Sequence, residues 1–262
     1  MMTNDPGRLK KALEDAVRNT VSGKEVAVAF SGGLDSGIIA FLAKEYAKKA
    51  TLYTAGSEGS HDVKEASAAA DELGIPLTII TIEEKDIMEC LREMIDITGT
   101  KDPVTLSFEI PLFFVCRHCT EKDVIGGQGA DELFAGYSKY IGLSAADLIE
   151  MNAKDKNKLF ECTIPHERKV AAFFGKNLHY PFLDETVERE AGRPDIIPGG
   201  DSLMRKKALR ETAGMMGLGS LSIKEKKAAQ YGSGAMAIIK KVCRDRNMTY
   251  AELIEDLSGE AR

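Results

Sequence analysis

Long apolar runs are missing from this 262-residue chain. None approaches the ~20 residues that a membrane-crossing helix needs, so nothing reads as a transmembrane span. The opening stretch, MMTNDPGRLKKALEDAV, lacks the apolar centre of a signal peptide and reads as a polar tail leading into an amphipathic helix. An excess of basic charge is also missing. With 35 Lys+Arg against 41 Asp+Glu the formal net charge is −6, which speaks against a general nucleic-acid surface. Cysteine is sparse: five residues without framework spacing suit a reducing compartment, and a cytoplasmic location is expected. No internal repeat or low-complexity segment stands out. What is present is ordinary for a globular protein, 44% hydrophobic and 29% charged, enough to bury a core without staples.

The pattern along the chain alternates. VAVAF (26–30), ATLYTAG (50–56), IPLTIITI (75–82) and DVIGG (123–127) read as strands. Between them lie helical patterns at 35–49, 61–74, 83–97 and, opened by Pro111, 111–122. Strands separated by helices of about 10–15 residues predict βαβ crossovers and a doubly wound, Rossmann-like α/β fold with a parallel sheet. From about residue 131 strand signals fade and helix signals dominate. The expected organisation is an N-terminal helix (1–21), an α/β nucleotide domain (22–140) and a helical C-terminal part (141–262) that completes the site.

The strand at 26–30 runs into Phe30-Ser31-Gly32-Gly33-Leu34-Asp35-Ser36. In open parallel sheets ligands sit beyond the carboxyl ends of strands, where the next helix points its N–H groups and positive dipole end. Gly32 and Gly33 allow a tight turn and close approach to a ligand, and Ser31 and Ser36 add hydroxyl donors. Asp35 suits a phosphate only when bridged by Mg²⁺. A Walker A loop is excluded because no lysine follows the glycines, and the G-x-G-x-x-G fingerprint is absent. A merely tight strand-to-helix turn is the plain alternative. A second loop, GGQGADELFAGY (126–137), ends the fourth strand in glycines and starts a helix on Asp131 and Glu132. Asp35 and Asp131 would then lie near one another and could hold Mg²⁺ on a pyrophosphate. Asp131 as a simple helix-capping carboxylate is the alternative there.

SGGLDS resembles the pyrophosphate loop of the ATP pyrophosphatase (PP-loop) superfamily. GGQGADELFAGY is similar to the G-E-G-x-D-E-x-F-x-G-Y signature of the synthetase domain of asparagine synthetases and their β-lactam-forming relatives. AGSEGSHDVKEASAAADELG, YPFLD (180–184), KKALR and IKEKKAAQYGSG follow in the family's order, so the likeness runs from about residue 22 to 235. The resemblance implies ATP and Mg²⁺ as cofactors, and an AMP-forming carbon–nitrogen ligase that adenylates a small carboxylate for attack by ammonia or an amine. It implies that Ser31, Gly32, Gly33, Asp35 and Ser36 bind pyrophosphate and that Asp35 and Asp131 hold the metal. Backbone near Ala29, Thr54 and Gly127 would hold adenosine, and Lys226 would stabilise developing charge.

The chain departs from that pattern in four places. It begins Met1-Met2-Thr3 with about two dozen residues before the first strand, so the glutaminase domain with its N-terminal cysteine is not expected. Free ammonia, a separate glutaminase subunit or another amine would supply nitrogen; membrane partners are not expected, and a homo-oligomer is left open. Gln128 replaces the family's glutamate, a candidate catalytic position where an amide cannot act as a base. His179 replaces the arginine before P-F-L-D, and Ser107 and Glu109 stand where an arginine for the substrate carboxylate is expected. Two other readings stay open: a PP-loop sulfur transferase using Cys116 and Cys119, and a catalytically altered ATP-binding subunit. The spacing of the two cysteines with Leu112 and Val115 favours the apolar face of a helix.

Overall fold

The computed structural model describes residues 5–192, 205–223 and 229–259. Asp5 caps helix α1 (Pro6–Val21), accepting from the Gly7 amide at 2.9 Å, while Pro6 occupies the first turn, where its missing N–H costs nothing. Leu9, Leu13 and Val17 recur every four residues on its buried face. The apolar run that follows is strand β1 (Glu25–Ala29). Side chains alternate across a strand, so Val26 and Val28 enter one core and Ala27 the other. Strand β1 is therefore covered on both faces, which is why its sequence is uniformly apolar.

The next elements are α2 (Leu34–Tyr46), β2 (Lys49–Gly56), α3 (His61–Leu73), β3 (Leu77–Thr81), α4 (Glu84–Thr98), α5 (Pro103–His118) and β4 (Asp123–Ile125). Gly74 ends α3 at φ 61°, as its position after the helical pattern predicts. The C-terminal part contains α6 (Ala130–Leu133), α7 (Ala145–Lys158), α8 (Ile164–Phe173), β5 (Asn177–His179), α9 (Glu185–Ala191), α10 (Lys207–Met215), α11 (Gly219–Ser222), α12 (Ala229–Gly232), α13 (Ala235–Asp245) and α14 (Tyr250–Gly259). The sheet is parallel throughout, in the order β3-β2-β1-β4-β5. The strand order reverses between β1 and β4, so the expected doubly wound α/β class holds and the crevice opens where both glycine loops leave the sheet.

Two local expectations need correction. The helix placed at 111–122 starts eight residues earlier, at Pro103, and ends at His118. Asp102 is its cap, receiving the Thr105 amide at 3.0 Å, and Pro103 takes the first-turn position assigned to Pro111. Pro111 lies inside the helix and deprives the Ser107 carbonyl of its usual amide donor. Second, the region beyond residue 131 does contain a strand, β5, paired with β4 through Leu178 opposite Val124. Three residues are too short for an alternation pattern to show.

Between α7 and α8 the chain makes a π turn over Leu159–Thr163. Pro165 follows in the first turn of α8, where the widened turn spares it the amide bond it cannot make. On α8, His166 Nδ1 stands 3.7 Å from Glu109 of α5, and Glu167 accepts from Gln128 and Tyr180. No described helix is long and apolar enough to cross a membrane.

Candidate active site

The loop Phe30–Gly33 leaves β1 at its carboxyl end. Gly32 sits at φ 74°, and a Cβ there would lie 2.4 Å from the Glu65 backbone carbon of α3. Only glycine satisfies both the left-handed turn and that approach. Gly33 is the cap residue of α2, whose first amides carry no intrahelical partner. The Ser36 hydroxyl reaches back into the loop, accepting from the Ser31 amide at 3.2 Å and lying 3.2 Å from the Ser31 hydroxyl. Ser31, Gly32, Gly33 and Ser36 thus form one cradle at a helix N-terminus, the geometry that holds an anion.

Asp35 and Asp131 come together as the two motifs suggest, and a residue not singled out as a site member joins them. Lys206 Nζ lies 2.7 and 2.6 Å from the two Asp35 oxygens and 2.6 Å from Asp131 Oδ1. Lys206 and Asp35 are buried and Asp131 is partly so: their side chains are 5%, 9% and 16% exposed. Lys206 adopts φ 58°, a left-handed conformation uncommon outside glycine, and Ala135 opposite it adopts φ 49°. One backbone and one side-chain bond hold the two strained passes together: the Lys206 amide donates to Phe134 O at 3.1 Å, and Arg205 Nη1 donates to Gly136 O at 3.1 Å. A Cβ on Gly136 would stand 2.0 Å from Asp131 Oδ1 and 2.1 Å from Lys206 Cε, so the glycine of FAGY leaves the lysine its path. Gly127, just after β4, packs close on the other side, its Cβ position 3.1 Å from Asp35 Cβ. The KKALR stretch is visible in the sequence, but nothing local marks its first lysine as the partner of Asp35, 171 positions away.

The remaining predicted residues divide. Ala29 and Thr54 lie at the sheet edge beside the cradle, with the Thr54 hydroxyl donating to Phe30 O at 2.5 Å. Lys226 lies outside the described residues. The segment after it does reach the site: Ser233 O accepts the Ser57 amide at 2.8 Å, and a Cβ on Gly232 would fall 2.0 Å from Asp62 Oδ1. His179 is turned away into a network with Asp123, 2.7 Å from its Oδ1, where Lys24 also binds. Cys116 and Cys119 are buried in the core, and burial pushes the Cys116 thiol up to about 12, so it is no thiolate near neutral pH.

Gln128 opens a second cluster. Its Nε2 donates to Glu167 Oε1 at 3.1 Å, and the Tyr180 hydroxyl donates to Glu167 Oε2. Burial raises Glu167 to about 7, opposed by Tyr180 and reinforced by Glu132. Glu109, 2% exposed on α5, accepts no hydrogen bond at either oxygen from the described residues, and His166 Nδ1 stands 3.7 Å away. Burial, then the charges of Glu167 and Asp102, raises Glu109 to about 9. An arginine is the sequence expectation in this neighbourhood; the structure holds an acid cluster instead.

The two glycine loops, converging on one buried cation at the switch point, set the frame for comparison with known proteins. The family model for asparagine synthase matches residues 8–160. The chain belongs to the asparagine synthase family. A protein named asparagine synthetase 1 (glutamine-hydrolysing) from Methanocaldococcus jannaschii is 30% identical over 276 aligned positions, covering 90% of this chain and 51% of that protein. Asparagine synthetase B (glutamine-hydrolysing) from Escherichia coli is 28% identical, covering 79% of this chain and 41% of its own length. The chain thus spans about half the length of these relatives. Among solved structures, an NMN synthetase from Francisella tularensis superposes with a TM-score of 0.47 at 16% identity, covering 97% of this chain and 87% of that one.

Proposed function

We propose that this member of the asparagine synthase family is an ATP-dependent amide ligase that adenylates a carboxylate, releases pyrophosphate and AMP, and passes the acyl group to ammonia or an amine. One observation carries the reading: Asp35 and Asp131, from the ends of β1 and β4, share a single buried cation directly beside the SGGLDS cradle. Two carboxylates that already accommodate a positive charge at 2.6 Å fit a Mg²⁺ site, since that ion takes one or two carboxylates and fills its other positions with phosphate oxygens and water. When bound, Mg²⁺ would neutralise charge on the pyrophosphate.

The chain's own residues have separable roles. The Ser31–Ser36 cradle binds the pyrophosphate through amides and hydroxyls, with Gly32 and Gly33 permitting the approach. Ala29, Thr54 and Gly127 line the sheet edge for adenosine. Lys206 holds Asp35 and Asp131 together against their mutual repulsion, and its ammonium lies beside the phosphate cradle. Lys226 is assigned the charge developing at the α-phosphate. The C-terminal part, 141–262, completes the site because Lys206 and the Gly232–Gly234 segment come from it.

The sulfur-transferase reading is disfavoured by the burial of Cys116 and Cys119. The decisive assay is pyrophosphate release with ATP, Mg²⁺ and ammonium across a panel of carboxylic acids, aspartate first. Asp35→Ala and Asp131→Ala should each lower turnover by about 10²-fold or more. Unchanged turnover in both variants rejects the metal assignment. ATP binding without pyrophosphate release for any acid favours a catalytically altered ATP-binding subunit instead.

A further inference from the structure

The acid cluster between α5 and α8 has no use in ATP binding, and its makeup is costly. Glu109 is 2% exposed and Glu167 7%, yet burying carboxyl groups without a paired cation is unfavourable. Both Glu109 oxygens lack a hydrogen-bond donor among the described residues. Glu167 accepts from Gln128 and Tyr180, one bond on each oxygen, and each carboxylate oxygen has room for another. The groups facing this pair are Asp102 at the cap of α5, Cys116 on α5, His166 and Lys169 on α8, Tyr180 after β5, and Glu132 on α6. None supplies the cation. Lys169 donates to the Thr98 carbonyl at 3.2 Å, and burial together with Lys169 pushes His166 down, which disfavours its charged form. The cluster joins the nucleotide site through Gln128, the residue after Gly127, which packs on Asp35.

We propose that Glu109 and Glu167 seat the nitrogen nucleophile as an ammonium or primary ammonium ion, beside Gln128 at the edge of the nucleotide site. Three N–H donors of such an ion match the two open Glu109 oxygens and one Glu167 oxygen. The inference rests on the ligase reading for the use made of the amine. There, one proton passes from the ammonium nitrogen to the Glu167 carboxylate, and the freed lone pair attacks the acyl carbon of the adenylate. The C–N bond forms, the C–O bond to phosphate breaks, AMP departs with its electron pair, and the second proton is lost to solvent. Glu167 is the proton acceptor that Gln128 cannot be.

The test is ¹³C NMR of the full chain with carboxyl-labelled glutamate, the two signals assigned by their loss in Glu109→Gln and Glu167→Gln. Titration midpoints are read with ammonium, methylammonium, tetramethylammonium and potassium chlorides at matched ionic strength. Ammonium should lower the Glu109 midpoint by about one pH unit or more, because a bound cation favours the carboxylate. Tetramethylammonium, with no N–H, and potassium should not. A shift with ammonium alone points to ammonia, and a shift with methylammonium as well points to a primary amine. In Glu109→Gln the shift at Glu167 should be lost. Midpoints unmoved by ammonium, or moved equally by potassium, overturn the proposal in the unsubstituted protein, whatever the variants' stability. ATP–pyrophosphate exchange with the acid panel is scored separately: exchange without an ammonium shift removes this inference alone, and no exchange with any acid removes the ligase reading.

Discussion

Two pairs of carboxyl groups are largely withdrawn from solvent in this molecule, and they are held in opposite ways. Asp35 and Asp131 enclose Lys206 Nζ at 2.6 Å each. Glu109 and Glu167 have no lysine or arginine between them among the described residues, and burial drives their proton affinity up to about 9 and about 7. The ingredients are alike; the presence of one ammonium group separates them. A low-dielectric site keeps its carboxylates charged only where a cation shares the burial, and otherwise holds a proton. The first pair already holds a cation between its carboxylates. The second is ready to give up a proton to an arriving cation's field, or take one from it.

The contrast can be broken most forcefully at Lys206. Lys206→Met turns the first pair into a copy of the second and should cost about 3–5 kcal/mol of stability, the usual penalty for removing one member of a buried ion pair. Urea unfolding measures it, and millimolar MgCl₂ should restore more stability to the variant than it adds to the unsubstituted protein. No loss, or no metal response, would show that the lysine is not what holds the aspartates. A smaller effect is expected from Gly136→Ala, whose methyl would stand 2.0 Å from Asp131 Oδ1 and displace the lysine. About 1–3 kcal/mol and a roughly tenfold fall in ATP–pyrophosphate exchange are expected, with parent-like circular dichroism. Mildest is Glu109→Met, which relieves the second pair. The Glu109 carboxyl is raised from an ordinary value near 4.5 to about 9, so its contribution to stability is full below pH 4.5 and lost as pH rises toward 9. The variant should therefore gain about 1–3 kcal/mol on the parent at pH 8.5 relative to pH 5, measured by denaturant unfolding at both values.

Much of the frame was legible from residues alone. The strand–glycine–helix passage at 26–36 and its counterpart at 123–132 carry their conformation in local patterns: a short apolar run, positive-φ glycine, a carboxylate in the first turn of a helix. Because both strands are buried on both faces, they had to be central, and central strands on either side of a switch point bring their loops together. The start of α5 was misplaced because two prolines in one apolar segment compete for the first turn, and the Asp102 cap decides between them. Strand β5 was missed because three residues borrow their conformation from β4 rather than from their own pattern.

What the sequence by itself determined, then, was the sheet, the glycine turn at the start of α2 and the convergence of Asp35 with Asp131, all of which follow from short-range periodicity and turn chemistry. The tertiary structure alone decided which charges meet. Lys206 comes from 171 positions away to stand between the aspartates, and Glu167, 39 positions after Gln128, meets it without any functional signature of its own. Burial and distance set the state of a titratable group, and neither is a property of its neighbours in the chain.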